Sequence, residues 1–115
     1  MTHSPLVILE YVSQFYKMDI GEILSESQKR EVVTARDMVI LLAKGNRDED
    51  LAKVFGMSRP NITNSRKAIV NLMTFDKKLR QDFELMSRGL LNFEIADLRM
   101  NQNIYYGRIN YFKKD

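Results

Sequence analysis

A chain of 115 residues, 44% hydrophobic and 29% charged, suits one folded domain with a modest core and not two independent ones. The absence of cysteine excludes disulfides, thiolate catalysis and zinc–thiolate sites, and no apolar run approaches the roughly 20 residues of a membrane span. A formal net charge of +3 and a pI of about 9.2 lean towards a polyanionic partner, although the placement of the charges matters more than their sum.

The opening "MTHSPLVILEY" lacks the basic leader and small-residue cleavage site of a signal peptide, so a cytoplasmic setting is expected. Pro5 starts a helix where proline is tolerated, and Leu6, Ile8, Leu9, Val12, Phe15 and Tyr16 follow at helical spacing. "KMDIGEILSES" reads as a turn and a short helix with Ile20, Ile23 and Leu24 facing inward. After the polar "SESQKRE", Val32, Val33, Ala35, Met38, Val39, Leu41, Leu42 and Ala43 define a long apolar helix. Gly45-Asn46 is the expected C-cap pair. The acids Asp48–Asp50 then suit the positive N-terminus of the next helix better than a cation site.

That next helix runs into "LAKVFGMSRPNITNSRKAI", Leu51 to Ile69, where a glycine interrupts a helical pattern. A helix-turn-helix accounts for the interruption, because two short helices must cross sharply and the second must be free to enter a groove. Ala52 is small at the crossing, Gly56 can take a left-handed conformation, and Met57 plugs the core beneath the turn. Ser58 can cap the second helix, Pro60 falls in its first turn, and Ile62 faces Leu51 and Phe55. Opposite Ile62 lie Pro60, Asn64, Lys67 and Asn71, with Asn61 and Thr63 on the flanks and Arg59 at the open first turn. Arginine pairs with guanine, asparagine with adenine, and threonine with phosphate or a thymine methyl. No acidic residue lies between Met57 and Thr74. The bland reading is a helical corner with no role towards DNA, since the bare motif is also a packing unit.

Ile69, Leu72, Met73, Leu79, Phe83, Leu85 and Met86 carry the helical periodicity to about residue 86. Beyond Ser87 the composition turns to Tyr, Ile and Phe. A β-hairpin, Phe93–Met100 and Ile104–Phe112, is preferred to a further helix there. Residues 1–86 are thus expected to form a helical domain that binds DNA, and 87–115 an extension for packing or oligomerisation. Tyr105, Tyr106, Tyr111 and Phe112 could stack on bases, but a strand covering the core or pairing with another subunit explains them as well.

Two stretches together, "ILSESQKREVVTARDMVILLAK" from Ile23 to Lys44 and the helix-turn-helix, resemble the C-terminal DNA-binding domain of the bacterial replication initiator DnaA. "KREVVTAR" and "YVSQFYKMDIGEIL" are similar to that family's runs, and the resemblance covers about residues 6–86. It implies a mainly α, tryptophan-repressor-like bundle in which a basic loop approaches the minor groove and the helix-turn-helix enters the major groove. The family arginine of that loop falls at Gln28, with Lys29 and Arg30 beside it, and Arg36 matches a family arginine suited to phosphate. The family's recognition signature is replaced by "MSRPN", with Ser58, Arg59 and Pro60 near its Asp, His and Thr, and the loop after Lys44 is shorter. DNA binding is therefore expected to carry over, and recognition of the initiator's own box is not. These 115 residues hold no G-x-x-x-x-G-K-[ST] phosphate loop, so the initiator's ATPase module is expected to have no counterpart within them.

Bland readings stand beside several of these residues. Lys29 and Arg30 can be solvated charges beside Glu26 and Glu31, and Arg36 can pair with Asp37 or an acid of a neighbouring helix. Arg66 suits a phosphate contact or an intramolecular ion pair equally. His3, the only histidine, is expected to be neither ligand nor catalyst, and the methionines read as core. The expected function is sequence-specific binding of double-stranded DNA, with no cofactor, no metal and no catalytic residues. The alternative is a protein-interaction module that keeps the fold and binds a partner through the extension, which could also pair two copies of the chain.

Overall fold

The computed structural model describes residues 4–100, with side chains described to residue 90. Six helices follow one another: α1 Pro5–Tyr16, α2 Ile20–Ile23, α3 Arg30–Leu42, α4 Asp48–Phe55, α5 Arg59–Met73 and α6 Lys77–Met100. None of them is long and apolar enough to cross a membrane.

The helix ends are made by local chemistry. Ser4 caps α1 by accepting the Leu6 N–H at 3.3 Å, and Pro5 occupies the first turn. The chain leaves α1 through Lys17, which is left-handed at φ 53° without being glycine. The neighbouring turn is braced from both sides: the Met18 N–H donates to the Ser13 carbonyl at 3.0 Å, and the Ser13 hydroxyl donates to the Met18 carbonyl at 2.5 Å. Asp76 caps α6, its carboxylate accepting the Leu79 N–H at 3.0 Å.

Helix α3 is the centre of the bundle. Met38, Val39, Ile40 and Leu41 are all buried, and four consecutive buried residues span every side of a helix. The surrounding elements are α1, α2 and α5, which all pack on α3. Helix α6 runs antiparallel to α1: Asp82 meets Tyr16, and Gly89 meets Tyr11 one to two turns further on. The Tyr16 hydroxyl donates to the buried Asp82 carboxylate at 3.3 Å, which Lys78 also holds at 2.6 Å. Burial and the Asp82 charge both push the Tyr16 phenol above its ordinary value.

Two expectations change. Helix α3 ends at Leu42, and Gly45-Asn46 is not a left-handed cap, since Gly56 is the only glycine at positive φ among the described residues. Successive tight turns close the helix instead. The Lys44 N–H donates to the Leu41 carbonyl at 3.2 Å, and Asn46 donates to Ala43 from its backbone at 2.9 Å and its side chain at 3.1 Å. Residues 93–100, read as the first arm of a hairpin, are the last turns of α6, which passes residues 86 and 87 unbroken. "FEIADLRM" contains Glu, Ala, Leu, Arg and Met, and extending an existing helix needs no new nucleus, so propagation wins over a strand. Leu85 keeps the helical period but stands 56% exposed, outside the core. The second arm, Ile104–Phe112, lies outside the described residues, as do Tyr105, Tyr106, Tyr111 and His3.

Candidate nucleic-acid interface

The corner between α4 and α5 is built by the residues that mark it in the sequence. Gly56 ends α4 at φ 62° and ψ 35°, and the Met57 N–H reaches back to the Ala52 carbonyl at 3.0 Å. Ser58 is extended and caps α5, its hydroxyl accepting the Asn61 N–H at 3.3 Å. Pro60 sits in the first turn, where no N–H is needed. Ile62 is fully buried with Leu51 and Phe55, while Ala52 and Met57 pack half-buried against the same core. Sequence and structure agree at this corner residue by residue.

Helix α5 presents three distinct faces, as a turn of 100° per residue requires. Arg59, Pro60, Asn61, Asn64, Lys67 and Asn71 are exposed. Thr63 and Arg66, one turn apart, lie on the flank towards α4 and both engage Asp48, the first residue of that helix. The Arg66 guanidinium donates to Asp48 Oδ1 at 2.9 Å and the Thr63 hydroxyl to Oδ2 at 3.3 Å. Arg66 holds the Asp48 carboxyl below the ordinary carboxylate range, with Thr63 and Arg59 adding to the effect. Arg66 is thus in an intramolecular ion pair, and its buried Nε has no partner among the described residues. On the opposite flank Ser65 hydrogen-bonds the buried Asp37 carboxyl of α3, and burial, the larger effect, raises that carboxyl to about 6.

The upstream loop is organised by Arg36. Its Nε donates to the Ile23 carbonyl at 3.1 Å, and its Nη2 to the carbonyls of Ser25 at 2.5 Å and Ser27 at 3.1 Å. A guanidinium supplies donors in a fixed fork, which suits several carbonyls of one bend. Ser27 in turn accepts the Lys29 N–H at 3.2 Å, and Gln28 donates to the Glu26 carbonyl at 3.2 Å. Arg36, expected at phosphate or at an acid, directs its Nε and Nη2 to carbonyls of the loop that carries Gln28, Lys29 and Arg30. Those three side chains are exposed. Among the described residues no ion pair engages Lys29, Arg30, Arg59 or Lys67.

The fold brings loop and corner together across a groove of about 510 Å³. Ser25, Gln28 and Arg36 line one wall, and Gly56, Ser58 and Asn61 the other. A second groove, of about 400 Å³, separates Gln28 and Arg30 from Ala68 and Leu72 of α5, with Asp37 in its lining. Gln28 belongs to both, so the basic loop lies beside α5 along its side nearest α3. Sequence reasoning missed the burial of Asp37 against Ser65 and Asp48 as a partner of α5. Asp37 did carry a signal: an acid inside the apolar run "ARDMVILL" is a candidate buried carboxylate.

Comparison with known protein families, with curated proteins and with solved structures finds no match to this chain.

Proposed function

We propose that this chain binds double-stranded DNA, with α5 in the major groove and the loop carrying Gln28, Lys29 and Arg30 against the adjacent backbone. The observation that carries the reading is the outer stripe of α5. Asn64, Lys67 and Asn71 stand exposed with Arg59 and Asn61 at the helix start, no acid interrupts them, and the Asp48 carboxylate beside them is already paired. Exposed asparagine, arginine and lysine on one helix face provide both base-edge and phosphate chemistry. Lys29 and Arg30, in no ion pair among the described residues and across the groove, add cationic surface where a duplex lying on α5 would pass. The resemblance to the DnaA C-terminal domain supports the same placement, and the tryptophan-repressor-like arrangement belongs to this proposal.

Arg59, Asn61, Asn64 and Lys67 are assigned to base edges and nearby phosphates, and Gln28, Lys29 and Arg30 to the second contact. Ser58 and Pro60 shape the helix start, while Thr63 and Arg36 act through the positions they hold. Selection from a randomised duplex library at two salt concentrations tests the reading. A defined motif is expected, with log affinity falling by about 0.9 per log unit of salt for each phosphate contacted. Arg59→Ala is expected to weaken the selected duplex by roughly tenfold, the scale of one base contact, and random duplex much less. Failure of the wild-type chain to retain any duplex at low salt would overturn the reading.

A further inference from the structure

Helix α5 is held on both flanks by carboxylates, and the flank towards α4 is the more polar of the two. Asp48 there meets two residues of the proposed reading helix at once, Thr63 through one oxygen and Arg66 through the other. Thr63 and Arg66 are three positions apart and so stack on one side of the helix, flanking the outer stripe of Asn64 and Lys67. We propose that Asp48 is a specificity-positioning residue: its two-oxygen contact sets the roll of α5 about its own axis and keeps the Arg66 charge away from the DNA. The inference rests on the DNA-binding reading and goes further, by assigning the discrimination between sites to a residue outside the reading face.

The geometry sets the scale. Side-chain tips lie roughly 6 Å from a helix axis, so a roll of about 10° moves each by about 1 Å. Base-edge hydrogen bonds tolerate only about half that displacement, whereas phosphate contacts through long lysine and arginine stems follow the motion. Two contacts a turn apart on one flank resist such a roll better than one. They also bind up a cation that would otherwise join the phosphate-binding set. Arg66 is partly exposed, and its Nε, partnerless among the described residues, is a donor that the pairing does not use. An arginine released at this flank would bring sequence-independent affinity without adding any base reading.

The test uses Asp48→Asn, which is nearly isosteric and keeps an acceptor for Thr63 but removes the charge that holds Arg66. Binding is measured to a duplex selected by the wild-type chain and to random duplex, each across a salt series. Asp48→Asn is expected to lower the selected-to-random affinity ratio by about tenfold, the scale of one misplaced base contact. Its salt slope on random duplex is expected to steepen by about 0.9, one additional phosphate contact made by the freed arginine. Loss of stability alone would not steepen that slope. Arg66→Gln is expected to lower the ratio without steepening, and the double variant to match Arg66→Gln in both ratio and slope, because without the arginine no contact to Asp48 remains to be lost and no cation is freed. An unchanged ratio in Asp48→Asn, with wild type still reading its motif, overturns this inference and leaves the parent reading standing. If Asp48→Asn does not fold, an unchanged ratio in Arg66→Gln overturns it in the same way. Absence of duplex binding by wild type overturns both.

Discussion

Asparagine at position 37 is expected to stabilise the fold at alkaline pH and to leave it nearly unchanged in acid. Asp37 is 8% exposed, packed in α3 against Ser65 of α5 and bordering the groove shared by Arg30 and Leu72. Burial raises its carboxyl from 3.8 to about 6, against the smaller opposing effects of the Ser65 hydrogen bond and the Arg36 charge. The native state therefore holds a proton between those values that the unfolded chain has already lost. Stability falls as pH rises through that window and is level above it. At about 1.36 kcal/mol for each pH unit between the two values, the ionised carboxylate costs about 3 kcal/mol above pH 6. Asparagine keeps a hydrogen bond to Ser65 and carries no charge, so Asp37→Asn should recover about 2–3 kcal/mol at high pH. Urea denaturation followed by circular dichroism, at about pH 4 and about pH 8, measures the difference directly from the midpoints. An equal difference between variant and wild type at both pH values would refute the reasoning, because it would mean that burial does not penalise the charge. A loss of stability at the higher pH would refute it more strongly, showing that Ser65 and Arg36 outweigh desolvation.

Substitutions at Arg36 and Gly56 test the supports of the proposed interface, and one at Gly89 tests the packing of α6 on α1. Arg36→Ala removes three hydrogen bonds to the carbonyls of Ile23, Ser25 and Ser27 and is expected to cost about 2–4 kcal/mol, with faster amide hydrogen exchange across residues 24–29. Arg36→Lys should not restore slow exchange, since a point charge cannot span the same fork. Gly56→Ala places a Cβ in open space but on a left-handed backbone, so a cost of about 1 kcal/mol is expected in thermal unfolding, and Gly56→Asn should cost less. Gly89→Ala drives its Cβ into the Tyr11 phenol and is expected to cost about 1–3 kcal/mol; Tyr11→Phe in that background should recover part of it, and no recovery would move the conflict elsewhere.

The corner between α4 and α5 was legible because every interaction that makes it is local. Gly56 needs only its own φ, Ser58 reaches three residues ahead, and Ile62 follows from periodicity, so residue types alone specify the turn. The same locality made helices α1 to α5 readable, and its limit appears at residues 93–100. There a pattern compatible with either state was settled by the helix already running into it. The Gly45-Asn46 pair failed for a related reason, since a composition typical of one cap was used in a different turn.

What the residue order could not settle is how the faces meet. Asp48 lies fifteen residues from Thr63 and eighteen from Arg66, Arg36 turns back nine to thirteen residues to its carbonyls, and Tyr16 finds Asp82 sixty-six residues away. Each of these side chains had several chemically adequate partners, and proximity in the packed bundle chose among them. Arg66 was thus paired inside the fold and Arg36 turned its Nε and Nη2 to the loop, while among the described residues Arg59, Lys67, Lys29 and Arg30 entered no ion pair. A sequence determines which groups are present and which helix face they occupy. Only packing decides which charges are consumed inside the fold and which remain for a partner, because that outcome depends on distances between segments that no local rule constrains.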